Sequence, residues 1–219
     1  MHSLALTITV IMANVLGASM AIPQARKLLR TRRADGISLT WAIVSAAVNA
    51  WWGIYAVGVA DLSILPVSVV SVGAYVAIAV GIVRYAHGAA LSIGARSSAL
   101  IMFVMIIPLF ATHIGGWTAA GVVLGALYGV QLAPAVVAVY RTADVSGVSV
   151  ATWVIALAEA ALWGLYGFAG ADVGLLTLAA TGVTMSALVL ARLVARRPRR
   201  TRIDTTAGAT VGLQGLAAA

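Results

Sequence analysis

The chain has 219 residues, of which 62% are hydrophobic and only 9% charged, with a formal net charge of +8. A soluble globular domain carries about 25% charged residues, so this composition excludes an ordinary water-soluble fold and points to lipid as the solvent. Cysteine is absent, which excludes disulfide and thiol chemistry.

A helix needs roughly 20 apolar residues to cross a hydrocarbon core of ~30 Å. Seven stretches meet or approach this length, at about 4–25, 38–60, 62–83, 97–114, 117–139, 149–168 and 173–192. The fourth is short and contains Pro108. Period-two alternation is missing, so an all-α integral membrane protein is expected rather than a barrel. The start, Met1-His2-Ser3, has no positive charge ahead of the apolar run, so the first stretch reads as a retained helix and not a cleaved leader. Residues 196–219 read as a basic, then disordered, tail.

All fourteen Lys and Arg fall on one side of a seven-span arrangement. Arg26 to Arg33 follow the first span, Arg84 and Arg96 the third, Arg141 the fifth, and Arg192 to Arg202 the seventh. The opposite loops hold Asp61, His113 and Asp172. The positive-inside rule then sets the N-terminus outside and the C-terminus in the cytoplasm, and richness in Ala, Val, Gly and Arg suggests a high-GC bacterium and hence the plasma membrane. The positive charge accordingly reads as a topology signal facing anionic headgroups, with no nucleic acid as partner.

The chain also repeats itself. Residues 23–66 recur 111 positions later: Pro23 answers to Pro134, Arg30-Thr31 to Arg141-Thr142, and Gly36-Ile37-Ser38 to Gly147-Val148-Ser149. Trp52-Gly53-Ile54-Tyr55 matches Trp163-Gly164-Leu165-Tyr166, and Asp61 matches Asp172. An offset held across five separated landmarks indicates a duplicated membrane unit, and duplication is how many transporters place a solute site between halves. The repeated loops lie on matching sides, so two parallel three-helix repeats (1–96 and 117–195) need one linker helix (97–116) between them. The expected layout is 3+1+3.

These residues resemble a known pattern. Pro23-Gln24, a basic turn, Gly36-Ile37-Ser38 and then Asn49, Trp52 and Tyr55 are similar to the PQ-loop signature, and the 3+1+3 layout resembles the SWEET and SemiSWEET sugar transporters. The resemblance spans roughly 5–192. It implies a fold, a transport role, proline hinges for alternating access, and sugar as the default cargo. The second repeat departs from the pattern: Pro134 is followed by Ala135, although Gln131 lies one turn earlier, and Asn49 has Ala160 as its counterpart. The position where the family's sugar-facing Asn is expected holds Ser68 in one repeat and Ala179 in the other.

The candidate substrate-binding residues are Asn14, Asn49, Trp52, Ser68, Glu159 and Trp163, with Pro23, Gln24 and Pro134 as hinge and Tyr55 and Tyr166 as gate. Prolines inside a span remove a backbone hydrogen bond and bend the helix. Trp52 with Tyr55, and Trp163 with Tyr166, share a helix face and suggest flat walls flanking a path. Trp51 and Trp117 read as interfacial or lipid-facing, and Trp41 and Trp153 break the offset by one and receive no site role. Asp61 and Asp172 read as helix caps, as do Asp35 and Asp144 beside the Gly-x-Ser turns. Glu159 lies ten residues past Ser149, about 15 Å into the membrane, where a carboxylate costs at least ~2.5–3.5 kcal/mol. Two readings of Glu159 stay open: a neutral acid locking helices together, or a proton-coupling or cation-recognising group.

The histidines have no metal-ligand spacing, and no nucleophile–base constellation or phosphate loop is present. Neither enzymatic activity nor a cofactor is expected. The expected function is transmembrane transport of a small, sugar-like or polar solute by alternating access. The alternatives are a membrane receptor or scaffold of the same fold, and a proton-coupled amino-acid or amine transporter using Glu159. The reading leaves room for a homo-oligomer.

Overall fold

A computed structural model describes residues 2–32, 34, 38–85, 94–141 and 148–196. The Gly36-Ile37 and Gly147 turn residues, Asp35, Asp144 and the tail beyond Arg196 lie outside these residues. Six helices and no strand occur among the described residues: α1 (His2–Thr31), α2 (Leu39–Gly58), α3 (Leu65–Tyr85), α4 (Ala95–Arg141), α5 (Val150–Ala169) and α6 (Val173–Ala195), with a 3-10 turn at Leu62–Ile64. Side chains stop and start them. Ser38 and Ser149 accept hydrogen bonds from the backbone N–H groups of Trp41 and Thr152, capping α2 and α5. Asp61 and Asp172 do the same for the 3-10 turn and for α6.

The apolar stretches meet the structure closely, with two differences. α1 runs on to Thr31, through Arg26 and Arg30, because the last turn of a helix at a membrane surface tolerates cations near its C-terminus. The expected fourth and fifth spans run together as α4, whose 47 residues would rise about 70 Å if straight. Its helical geometry breaks at Gly115 and Gly116. Gly116 has φ 66° and ψ −161°, a conformation open to glycine and costly for a residue with a Cβ. Among the described residues, five stretches are long and apolar enough to cross a membrane: Leu4–Thr31, Leu62–Tyr85, Ala95–Arg141, Val150–Ala169 and Val173–Ala195. α2, which carries Asn49, Trp51, Trp52 and Tyr55, is not among these five.

Packing follows one pattern twice. α3 lies against both α1 and α2, and α6 against both α4 and α5. The two sets then meet crosswise, α1 on α5 and α2 on α4. A central apolar cluster joins them, including Val48, Trp52 and Tyr55 from α2 with Leu124, Leu127, Trp163, Leu175 and Leu178. Two smaller clusters sit toward the arginine-bearing end, one around Leu28, Ile78 and Ile82, the other around Val139, Trp153, Val189 and Leu193. Outward-facing side chains such as Met102, Phe103, Ile106 and Phe110 are large and apolar, as a lipid-facing surface requires.

Candidate functional site

The candidate side chains in the middle of the molecule are placed by α2 and α5. On α5, Glu159, Trp163 and Tyr166 follow at i, i+4 and i+7, one stripe of a helix. On α2, Asn49, Trp52 and Tyr55 form the matching stripe. Both stripes face inward: Trp52 is 5% exposed, Trp163 2% and Glu159 6%.

Glu159 is held from two elements. Its Oε1 accepts the indole N–H of Trp163 at 3.0 Å, and its Oε2 accepts the hydroxyl of Tyr128, on α4, at 2.9 Å. Gly17 of α1 comes so close that an added Cβ would lie 3.0 Å from Oε1. Among the described residues, no basic side chain lines the cavities around it. Trp52 differs from its counterpart, since its buried indole nitrogen has no hydrogen-bond partner among the described residues. The reason is local: the position one turn before Trp163 is Glu159, whereas the position one turn before Trp52 is Val48.

Three neighbouring cavities with shared lining residues lie between this level and the arginine-bearing end. A cavity of about 590 Å³ opens there, lined by Gln24, Trp41, Gln131 and Pro134 among others. It shares Met20, Trp41, Gln131 and Ala135 with a central cavity of about 220 Å³, which reaches Asn49, Tyr75, Tyr128, Trp153 and Glu159. Beyond it the space narrows to about 40 Å³, enclosed by Asn49, Trp52, Ser68, Glu159 and Trp163.

The opposite end is closed by two matching contacts. The Tyr55 hydroxyl donates to both carboxylate oxygens of Asp172, at 2.8 and 2.9 Å. The Tyr166 hydroxyl meets the Asp61 oxygens at 2.9 and 3.2 Å and Ser63 Oγ at 3.1 Å. Each aspartate is presented by a left-handed alanine just before it, Ala60 at φ 57° and Ala171 at φ 52°. Glycine makes room for Tyr55: a Cβ on Gly121 would stand 2.8 Å from its hydroxyl oxygen, and one on Gly174 would stand 2.7 Å from the Gly121 Cα. Outside these contacts lies a vestibule of about 420 Å³, bordered by Leu6, Trp117, Thr118 and both aspartates.

Of the sequence candidates, Asn49, Trp52, Ser68, Glu159 and Trp163 come together at the constriction. Asn14 stands apart from it. Its amide donates to Ser63 O at 3.0 Å and its carbonyl accepts from Val67 N at 2.8 Å, tying α1 to the start of α3. Ser68 spends its hydroxyl on Ile64 O. Gln24 and Pro134 border the open cavity, and the helices stay helical through Pro23 and Pro134. Tyr55 and Tyr166 meet the aspartates that sequence reasoning took as caps alone; Asp61 and Asp172 do both jobs. Trp41 and Trp153, given no role because they fall out of register, line the central cavity together with Tyr75 and Tyr128. Trp117, read as lipid-facing, packs edge to face on Tyr55 with ring centroids 6.3 Å apart. The recurrence of both Tyr and Asp at one offset was a signal for the crossed contacts.

No protein-family model matches this sequence, and no curated protein matches it. Among solved structures, the chain is similar to a eukaryotic SWEET transporter, with 14% identity, a TM-score of 0.63, 88% of this chain covered and 98% of that one. The likeness supports what the helices and their packing describe: this is a membrane-helical protein with a SWEET-like fold.

Proposed function

We propose that this protein is a transporter that carries a small polar solute across the membrane by alternating access. The single observation behind this reading is the path itself. Adjacent cavities with shared lining lie between the two helical sets from the arginine-bearing end to Glu159, and the other end is shut by Tyr55–Asp172 and Tyr166–Asp61. Such an arrangement is one state of a two-state cycle, and the closing contacts are few enough to exchange for others.

In this reading α4 counts as two spans meeting at Gly115-Gly116, which gives seven crossings and a 3+1+3 order. Residues 1–96 and 117–195 are the repeats and 97–116 the linker. The positive-inside rule supports an open end in the cytoplasm and Tyr–Asp contacts at the outer face of the plasma membrane. Trp52 and Trp163 form the walls of the constriction, Asn49, Ser68 and Glu159 provide polar groups there, and Pro23, Gln24 and Pro134 lie where the inner halves of two helices would swing. Asn14 belongs to the framework that keeps α1 and α3 together. A sugar-like cargo comes from resemblance, and the transporter solved with this fold supports transport as the activity.

A receptor or scaffold without transport is the second reading. It draws on the narrowness of the constriction and on the satisfied oxygens of Glu159. Counterflow in proteoliposomes decides. Vesicles loaded with neutral polyols or small amines should accumulate at least one labelled solute faster than protein-free vesicles. No exchange of any solute, by protein shown to be folded and inserted, would leave the scaffold standing.

A further inference from the structure

The central cavity has a chemical character that a neutral polyol does not need. It contains one formal charge among its described lining residues, the Glu159 carboxylate, and no cationic side chain to balance it. Glu159 receives two hydrogen bonds, both from neutral donors. Four aromatic rings stand around the same space: Trp41, Tyr75, Tyr128 and Trp153. Trp41 and Tyr75 are perpendicular, with centroids 5.3 Å apart, so they form a corner rather than a flat wall. Aromatic faces attract a cation through their negative quadrupole, most strongly where water is excluded, and Trp does so best. A buried anion without a counter-charge attracts the same ligand, because an ion in lipid is costly until it is paired.

We infer that the central cavity is a binding site for a small organic cation, an ammonium group held between the aromatic walls with Glu159 as its counter-ion. The inference rests on the reading of this cavity as the solute site and names the class of solute. Size agrees. An apolar cavity of about 150 Å³ holds benzene, so about 220 Å³ holds a solute of roughly nine non-hydrogen atoms by the same ratio. Asn49 lines the same cavity and reaches the constriction beside Glu159, so a polar side chain is available to an oxygen at the far end of that solute. An amino alcohol has both features. The repeat explains how the polarity arose, since Val48 and Gly17 occupy the positions equivalent to Glu159 and Tyr128, and only one half of the site is acidic.

The test uses detergent-purified full-length protein and three probes in equilibrium dialysis: choline, its uncharged carbon isostere 3,3-dimethylbutan-1-ol, and glucose. Choline should bind about tenfold or more tightly than the isostere, and Glu159→Gln should erase that preference while the protein keeps its elution profile. Trp153→Leu should weaken choline several-fold and leave the isostere unchanged, which decides the matter if the Gln variant does not fold. Equal binding of choline and its isostere, binding of glucose alone, or a Gln variant that retains the preference would each overturn the inference. Proteoliposome counterflow separates it from the transport reading. Exchange of glucose but not choline defeats the cation site and leaves transport intact, whereas saturable choline binding without exchange of any solute defeats transport and leaves the site.

Discussion

The two ends of the α2 and α5 stripes have diverged differently. At the aspartate end the halves are equivalent: Tyr55 reaches Asp172, Tyr166 reaches Asp61, and each aspartate follows a left-handed alanine. One helical turn or two deeper the equivalence is gone. Val48 faces Glu159 across the repeat, Gly17 corresponds to Tyr128, Asn49 to Ala160 and Tyr75 to Ser186. Even the tie between the first and third helices of each half has changed sides. Asn14 on α1 makes it in one half, and Thr181 on α6, bonded to Gly125 O at 2.8 Å, makes it in the other. In the proposed transport cycle, a closure that both halves make and break gains from being the same twice. A single solute with two unlike ends gains from walls that differ.

Breaking the asymmetric level should have the largest effect on stability. Glu159→Leu leaves the Trp163 indole N–H and the Tyr128 hydroxyl buried without their acceptor, at about 1–3 kcal/mol for each group. Thermal unfolding in detergent should show a clear loss, with Glu159→Gln much milder because its amide oxygen still accepts one bond. If Leu and Gln variants melt together with the wild type, the carboxylate is not a strut between α4 and α5.

Breaking the symmetric level should change conformation more than stability. Tyr55→Phe and Tyr166→Phe each remove hydrogen bonds to a carboxylate, worth about 1.5–3 kcal/mol, and should favour opening at the aspartate end by roughly tenfold or more. The readout is the labelling rate of Ser68→Cys by a membrane-impermeant thiol reagent from that side, in a chain with no native cysteine. The two substitutions should act alike. A large effect of one with none of the other would show that the closure is one-sided.

Smaller effects sharpen the comparison. Gly174→Ala places a Cβ against the Gly121 backbone, which cannot rotate away, so it should cost about 1–3 kcal/mol and accelerate the same labelling. Gly73→Ala, with open space around it, should be silent or stabilising by up to about 1 kcal/mol. Ala60→Gly and Ala171→Gly relieve a left-handed residue and should each raise stability by about 1 kcal/mol or less. Similar gains would support the equivalence of the two turns; a loss at either would show that its alanine side chain contributes contacts of its own.

Much of the helical framework was legible because membrane spans leave a coarse signal, a run of apolar residues bounded by charge. Apart from the end of α1, the helix ends lie within a few residues of the apolar stretches, and the Gly115-Gly116 break falls between two of them. The candidate site was legible where the repeat and helical spacing agree, as for Trp52 and Trp163, and where a carboxylate stands deep in an apolar span, as for Glu159; the three meet at the constriction. It was not legible where a residue depends on which helix crosses which. Asn14 reads as an interior polar group from either side of α1, and only the approach of the α3 start decides that it binds backbone. Trp41 and Trp153 occupy non-equivalent positions of the repeat, so symmetry hides them, although both reach the central cavity. Asp61 and Asp172 are sufficient as caps on local grounds, and their second partners come from helices more than a hundred residues away.

The central claim is that solute passes between Trp52 and Trp163 only when the Tyr–Asp end opens. A Tyr55→Cys/Asp172→Cys protein, bridged by a short bifunctional methanethiosulfonate and reconstituted in vesicles, tests this most directly by counterflow of whichever solute the unbridged variant exchanges. Exchange should stop on bridging and return when the bridge is reduced. Exchange that continues at the unbridged rate while the two positions are held together would contradict the claim.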